Sequence, residues 1–448
     1  MSSDDASRTP RPFQVDNRVV LSIALPMMLA YMTTPMIGIV NTAVIGRLGD
    51  APLLGGLAAG AVMFDLVFFT FNFLRTGTTG LVAQAFGRGD TPEEQAVFWR
   101  AFAIACVAGL LLAVGAPLVA LAGAYFLAAE PAVTEAMAAY VTIRLLSTPF
   151  ALTNYAVLGY LLGRGEARFG LALQLVINVA NIVLSISLGL WAGWGIAGVA
   201  WAAVVAEGLA AATSLLLLVL RFRGLPPLAA GALRNVAALK VMFAINRDIM
   251  IRSFVLLGAF ALVARQGAQL GTLTLAANAV LLNFFVLAGY FLDGFAAAAE
   301  QLAGRAIGAR HRAAFVRAVK LAAIWGFAVS TLLTGLFLVR GDLLIAAMTT
   351  SPDVRDLAAA YLPWAAFTAV SGVLAFQMDG VFIGATWSRD LRNMMLASFA
   401  VFIAALALLV PAFGNAGLWG ALHLFLLARG LSLAALLPKR TRAAFAEA

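Results

Sequence analysis

Six acidic residues stand inside long apolar stretches: Asp65, Glu207, Asp248, Asp293, Glu300 and Asp379. A carboxylate is costly in hydrocarbon, so each is a candidate for holding a counter-charge, a cation or a proton. Asp379 lies in a segment from Leu374 to Gly384 that contains no basic residue. A lone carboxylate there suits proton carriage or a Na+ ion, with a hydrogen bond to a neighbouring helix as the structural alternative. Asp293 and Glu300 share a helical face about 10 Å apart in rise, a spacing that suits a relay. Arg305 follows Glu300 closely, which predicts a solvated ion pair for that acid. Asp248 and Arg252 are spaced i, i+4, which permits a salt bridge. Asp65 has no partner nearby in sequence.

Neutral polar side chains form a second set. Asn178, Asn181 and Ser185 fall at i, i+3 and i+7, one stripe of a helix that either bonds to a neighbour or faces a wet cavity. Asn41, with Thr33, Thr34 and Thr42, joins them as a candidate cavity lining. Phe284, Phe285 and Met378 are candidates for an adaptable apolar pocket. Pro26 and Pro35 in one stretch make it the hinge candidate. His423 is expected in a neutral hydrogen bond between helices, His311 solvated, and Cys106 in packing. No phosphate-binding G-x-x-x-x-G-K-[ST] run occurs, and no cofactor or metal is expected apart from a coupling ion, H+ or Na+.

The elements that position these residues must be membrane helices. The 448 residues are 63% hydrophobic and 11% charged, too apolar for a soluble core. Twelve stretches reach the length of about 20 residues that a span needs. Pro131, Val133, Tyr140, Gly159, Gly163 and Arg168 recur, at an offset of 221, as Pro352, Val354, Tyr361, Gly380, Gly384 and Arg389. The fold class expected is therefore an all-α polytopic membrane protein, with two six-helix lobes related by a pseudo-twofold axis along the membrane normal. In this division 1–17 is a tail, 18–221 the first lobe, 222–240 a linker, 241–437 the second lobe and 438–448 a second tail. The same repeat places Glu207 opposite Arg429, so a charge pair between halves is conceivable. Lys and Arg cluster in loops such as Arg221 to Lys240 and Arg305 to Lys320, which predicts a cytoplasmic location for both termini. The net charge of +9 then reflects topology rather than nucleic-acid binding.

The run Val40-Asn-Thr-Ala-Val-Ile-Gly-Arg-Leu-Gly49, with Pro26 upstream and Gln84-Ala-Phe-Gly87 downstream, resembles the multidrug and toxic compound extrusion (MATE) family. Asn246 to Ser253, Leu292-Asp-Gly-Phe295, Met378 to Thr386 and Arg429 to Leu433 look like its DNA-damage-inducible F (DinF) branch. The resemblance implies two lobes around a V-shaped cavity. It also implies efflux of organic, often cationic or amphipathic, compounds in exchange for H+ or Na+. Relatives usually have Asp where this chain has Asn41, and DinF-like members commonly have Asp where it has Ser185. Neither an amide nor a hydroxyl takes up a proton near neutral pH. Coupling is therefore expected in the second half, at Asp379, which matches an ion-coupling carboxylate of other branches, assisted by Asp293 or Asp248. The expected protein is a monomeric antiporter of a bacterial inner membrane, not an enzyme. A flippase of lipid-linked oligosaccharide, for which Arg75, Arg144 and Arg252 speak, is one alternative; a non-transporting sensor or scaffold is the other.

Overall fold

The computed structural model describes residues 13–127, 130–228 and 231–446, and among these no strand occurs. The first half contains α1 (Asn17–Gly46), α2 (Ala51–Phe71), α3 (Phe73–Arg88), α4 (Thr91–Val114), α5 (Ala116–Leu127), α6 (Pro131–Leu145), α7 (Thr148–Gly163), α8 (Ala167–Leu184) and α9 (Gly195–Arg223). The second contains α10 (Val236–Gln269), α11 (Thr272–Gly308), α12 (Arg312–Met348), α13 (Pro352–Gly384), α14 (Ser388–Phe413) and α15 (Asn415–Ala444). Helix starts keep the repeat: Ala51, Thr91, Pro131 and Ala167 return as Thr272, Arg312, Pro352 and Ser388, each 221 positions on. Pro131 and Pro352 recur because each opens a helix, where a missing N–H costs nothing. Asp90 caps α4 by accepting from the Glu93 amide at 3.2 Å, and His311 caps α12 by accepting from that of Ala314 at 3.0 Å. His311 is thus a helix cap rather than a solvated loop residue.

Ten helices among the described residues are long and apolar enough to cross a bilayer, or eleven with the bent pair α6 and α7. The 34-residue α10, which carries Lys240, Arg247, Asp248, Arg252 and Arg265, is not among these; counting it gives twelve long helices or helix pairs, six in each half, the number the repeat predicts. The irregularities fall in the first half. Its spans break at Asn72, at Gly115 and after Leu145, and α8 passes into a π-helical stretch at Ser185–Trp191; α11, α12 and α13 run without a break. The break between α6 and α7 turns the chain by 51° just ahead of Pro149, whose ring cannot follow a helical turn. Gly77 and Gly80 lie inside continuous α3, and Pro26, Pro35 and Pro363 inside continuous helices.

The repeated glycines have a packing cause. A Cβ on Gly163 would stand 2.6 Å from Val82 Cβ, and one on Gly159 2.6 Å from the Arg75 carbonyl oxygen. Their counterparts Gly384 and Gly380 press against the carbonyls of Glu300 and Ala296. Both are small-x-x-x-small stripes that let two helices touch backbone to backbone.

Two units of packing can be distinguished. One comprises Leu29–Phe86 and Asp90–Asn246; the other comprises Met1–Met28, Gly87–Gly89 and Arg247–Ala448. They differ from the lobes read off the repeat, which divide at the 222–240 linker, because α1 contributes to both units.

Candidate functional site

In the C-terminal unit the close seam of α13 on α11 fixes Asp379. Arg252 of α10 and Arg429 of α15 both direct an Nη2 at its Oδ2, the second at 2.7 Å. Asp379 Oδ1 and the Nε atoms of Arg252 and Arg429 are buried and make no hydrogen bond among the described residues. Asp293 of α11 adds its charge to the field at Arg429. The lone carboxylate expected from sequence is therefore one member of a group of two acids and two arginines. Its basic partners come from 127 and 50 positions away, which a search of neighbouring sequence does not reach.

The i, i+4 pairing of Asp248 with Arg252 does not form, because Arg252 is engaged by Asp379. Asp248, 1% exposed, instead accepts from Arg247 at 3.0 Å, Arg392 at 2.8 Å and Ser388 at 3.0 Å. Glu300, expected in solvent, is buried in α11. His423 Nε2 faces the Trp364 carbonyl at 3.0 Å; a carbonyl only accepts, so that nitrogen holds the proton and Nδ1 accepts from Ser371 at 2.8 Å. That is the neutral interhelical bond expected. Phe284, Phe285 and Met378 lie buried in the apolar interior, Phe284 edge-on to Phe337 at 5.0 Å. In this state they pack a core rather than line an opening.

In the N-terminal unit Asn41, Asn178, Asn181 and Ser185 are all buried. Asn178 donates to Thr33 Oγ1 at 2.7 Å, and Ser185 donates to Asn181 Oδ1 at 3.3 Å. Among the described residues the Oδ1 atoms of Asn41 and Asn178 make no hydrogen bond. The stripe thus bonds α8 to α1, and one amide oxygen on each of the two helices is left over. Ser185, where the resemblance leads one to look for an acid, also opens the π-helical stretch, a feature often met at functional sites.

Sequence reasoning missed one network. Arg144 ends α6 and makes a two-pronged bond to Glu207 of α9, at 3.1 and 2.7 Å. Its guanidinium lies 3.8 Å from the ring centre of Phe64, and Asn154 donates to the Glu207 carbonyl at 3.1 Å. Glu207 and Arg429 do not pair across the repeat, since each is bound within its own unit. The available signal was two opposite charges inside apolar spans with no local partner; a separation of 63 positions concealed the pairing. Arg144 and Arg252, which as bare cations spoke for an oligosaccharide-lipid cargo, are both neutralised by carboxylates.

A family model described as MatE matches residues 26–187 and 249–409, one stretch in each half of the repeat. The chain is 37% identical over 426 residues to the DNA damage-inducible protein F of Escherichia coli (strain K12), covering 94% of this chain and 92% of the relative. It is 26% identical to a probable multidrug resistance protein NorM of Chromobacterium violaceum, covering 95% of this chain and 94% of that one. A crystal structure of MATE in the bent conformation shares the fold, with a TM-score of 0.86 at 15% identity over 95% of this chain and 96% of that one. With a family model matched on both sides of the repeat and a relative similar along nearly the whole length, the chain belongs to the MATE family of membrane transporters and is not an enzyme.

Proposed function

We propose that this protein is a secondary active efflux antiporter, exporting organic cationic or amphipathic compounds by alternating access, with ion coupling at Asp379. The observation that carries the reading is the buried group of Asp379, Arg252 and Arg429. A coupling ion drives a conformational change only through different affinities for the two states. At Asp379 an incoming cation competes with two guanidinium groups, so its arrival and the release of α10 and α15 from α13 are one event. The carboxylate's Oδ1, without a hydrogen bond, is the atom open to it. Two adjacent arginines repel a metal cation that would need several oxygens around it, whereas a proton needs one lone pair. The coupling ion in this reading is H+, with Asp293 and Asp248 as assisting acids. Asn41, Asn178, Asn181 and Ser185 offer amide and hydroxyl groups to the cargo, and both termini lie in the cytoplasm of the host bacterium.

The test is efflux of a fluorescent organic cation from proteoliposomes under a pH gradient or a Na+ gradient, imposed separately. The expected outcome is stimulation by the pH gradient, lost in Asp379→Asn. Efflux blind to both gradients overturns the antiport reading. Asp379→Asn behaving as wild type overturns the assignment of the site alone.

A further inference from the structure

We propose that Asp65, working against Arg144 and Glu207, is a proton-binding site in the N-terminal unit. Its function rests on the proton-coupled reading above, although its existence does not.

Asp65 lies in α2, inside a membrane span, on an exposed stripe with Val62 at 70% and Leu66 at 51% exposure. It makes no hydrogen bond or ion pair among the described residues, and the cation whose field it feels is Arg144. A charged carboxylate facing acyl chains without a partner is costly, so the proposed site requires that water reach this stripe. Proton access follows from the same requirement.

What would read the charge of Asp65 is a single guanidinium, bonded to one carboxylate and lying in the field of the other. Arg144 is bound through two nitrogens to Glu207 and is caged by Phe64, at 3.8 Å, and Phe68, at 5.8 Å, both on the helix that carries Asp65. The other charged or titratable groups around are Tyr140 on α6, Tyr155 on α7 and Arg75 on α3. Tyr140 lies against α2 because Gly60 leaves room: a Cβ there would stand 2.6 Å from the ring. α5, which also touches α2, carries only the exposed Tyr125.

The step balances simply. A proton from water adds to a carboxylate oxygen of Asp65, no other bond is exchanged, and the proton returns to water on release. While Asp65 is neutral, Arg144 has one anionic partner, Glu207 on α9. When Asp65 is charged, two carboxylates compete and Arg144 is drawn toward α2. Arg144 occupies the last turn of α6, directly before the 51° turn into α7, so a change of partner acts on that bend. Arg144 and Glu207 are positioning residues for this site. Asn41 and Ser185 need carry no proton.

The test uses pH-induced infrared difference spectra of the full-length protein in lipid nanodiscs, which report protonated carboxyl groups directly. A titrating carboxyl band is expected that Asp65→Asn removes and Asp379→Asn retains. Glu207→Gln frees Arg144 for Asp65, so the Asp65 band should require a pH about one to three units more acidic. If Glu207→Gln does not fold, Arg144→Lys, which keeps the charge and loses the two-pronged bond, should also move the band. A band unchanged by Asp65→Asn, or one that neither partner variant moves, overturns the site. An Asp65 band that behaves as expected, in a protein whose efflux ignores both gradients, supports the proton site and overturns only the antiport reading.

Discussion

At the scale of single residues, Asp379 illustrates how charge in a membrane protein is balanced at a distance. Asp293, Asp379, Arg252 and Arg429 sum to zero. Removing one member of a buried ionic group leaves an uncompensated charge, at a cost of about 3–5 kcal/mol. Asp379→Asn and Arg429→Gln should each lower the melting temperature in detergent. The double variant restores the charge balance and should lose less than the two single losses added together. Strictly additive losses in this double-mutant cycle would mean that the two groups act independently. The sequence made the importance of Asp379 legible because a carboxylate in an apolar run is rare. It concealed the partners, because Arg252 and Arg429 reach Asp379 only once α10, α13 and α15 have packed. The same limitation hid Arg144 and Glu207, and it made the local pairing of Asp248 with Arg252 look plausible.

At the scale of elements, regular features were readable and ends were less so. Pro131, Pro352 and the glycine pairs marked helix starts and close seams, since each acts through the backbone and leaves a fixed spacing. The breaks at Asn72 and Gly115 had no comparable signature, because both residue types also occur inside unbroken helices. One loop holds several elements through charge. Between α7 and α8, Glu166 accepts from Arg221 of α9 at 2.6 and 2.7 Å and from Arg164 at 2.9 Å, and Arg164 also pairs with Glu94 of α4. Burial pushes the Glu166 carboxyl upward, but the hydrogen bonds and charges of Arg221 and Arg164 outweigh it and hold the group below the usual carboxylate range. A depressed folded value means that Glu166 adds stability above its unfolded value of about 4.3 and loses it as pH falls through the lower folded value. Wild type should therefore melt above Glu166→Gln at neutral pH, and the gap should close as pH drops below about 4. A gap of constant size down to pH about 3 would show that the ionised carboxylate is not what joins these helices.

At the scale of the whole molecule, duplication accounts for the twelve-helix pattern, and the departures from it locate function. The breaks, the π-helical stretch and the Arg144 network lie in one half; Asp379 and its arginines lie in the other. The helix α1 belongs to both packing units, dividing between Met28 and Leu29 just after Pro26. Proline removes one backbone hydrogen bond and clashes with the preceding turn, so α1 bends most easily in the turn that ends at Pro26. Pro35 lies nine residues further on, wholly within the N-terminal unit. If α1 bends during transport, Pro26→Ala should raise thermal stability, because alanine restores the bond and improves helix propensity by up to about 3 kcal/mol. It should also slow maximal efflux several-fold while leaving dye affinity unchanged, since Asn41, Asn178, Asn181 and Ser185, the groups proposed to meet the cargo, are untouched. Pro35→Ala should gain comparable stability with little loss of rate. Equal slowing by both substitutions would place the bend along α1 as a whole, and unchanged rates in both would remove α1 from the motion.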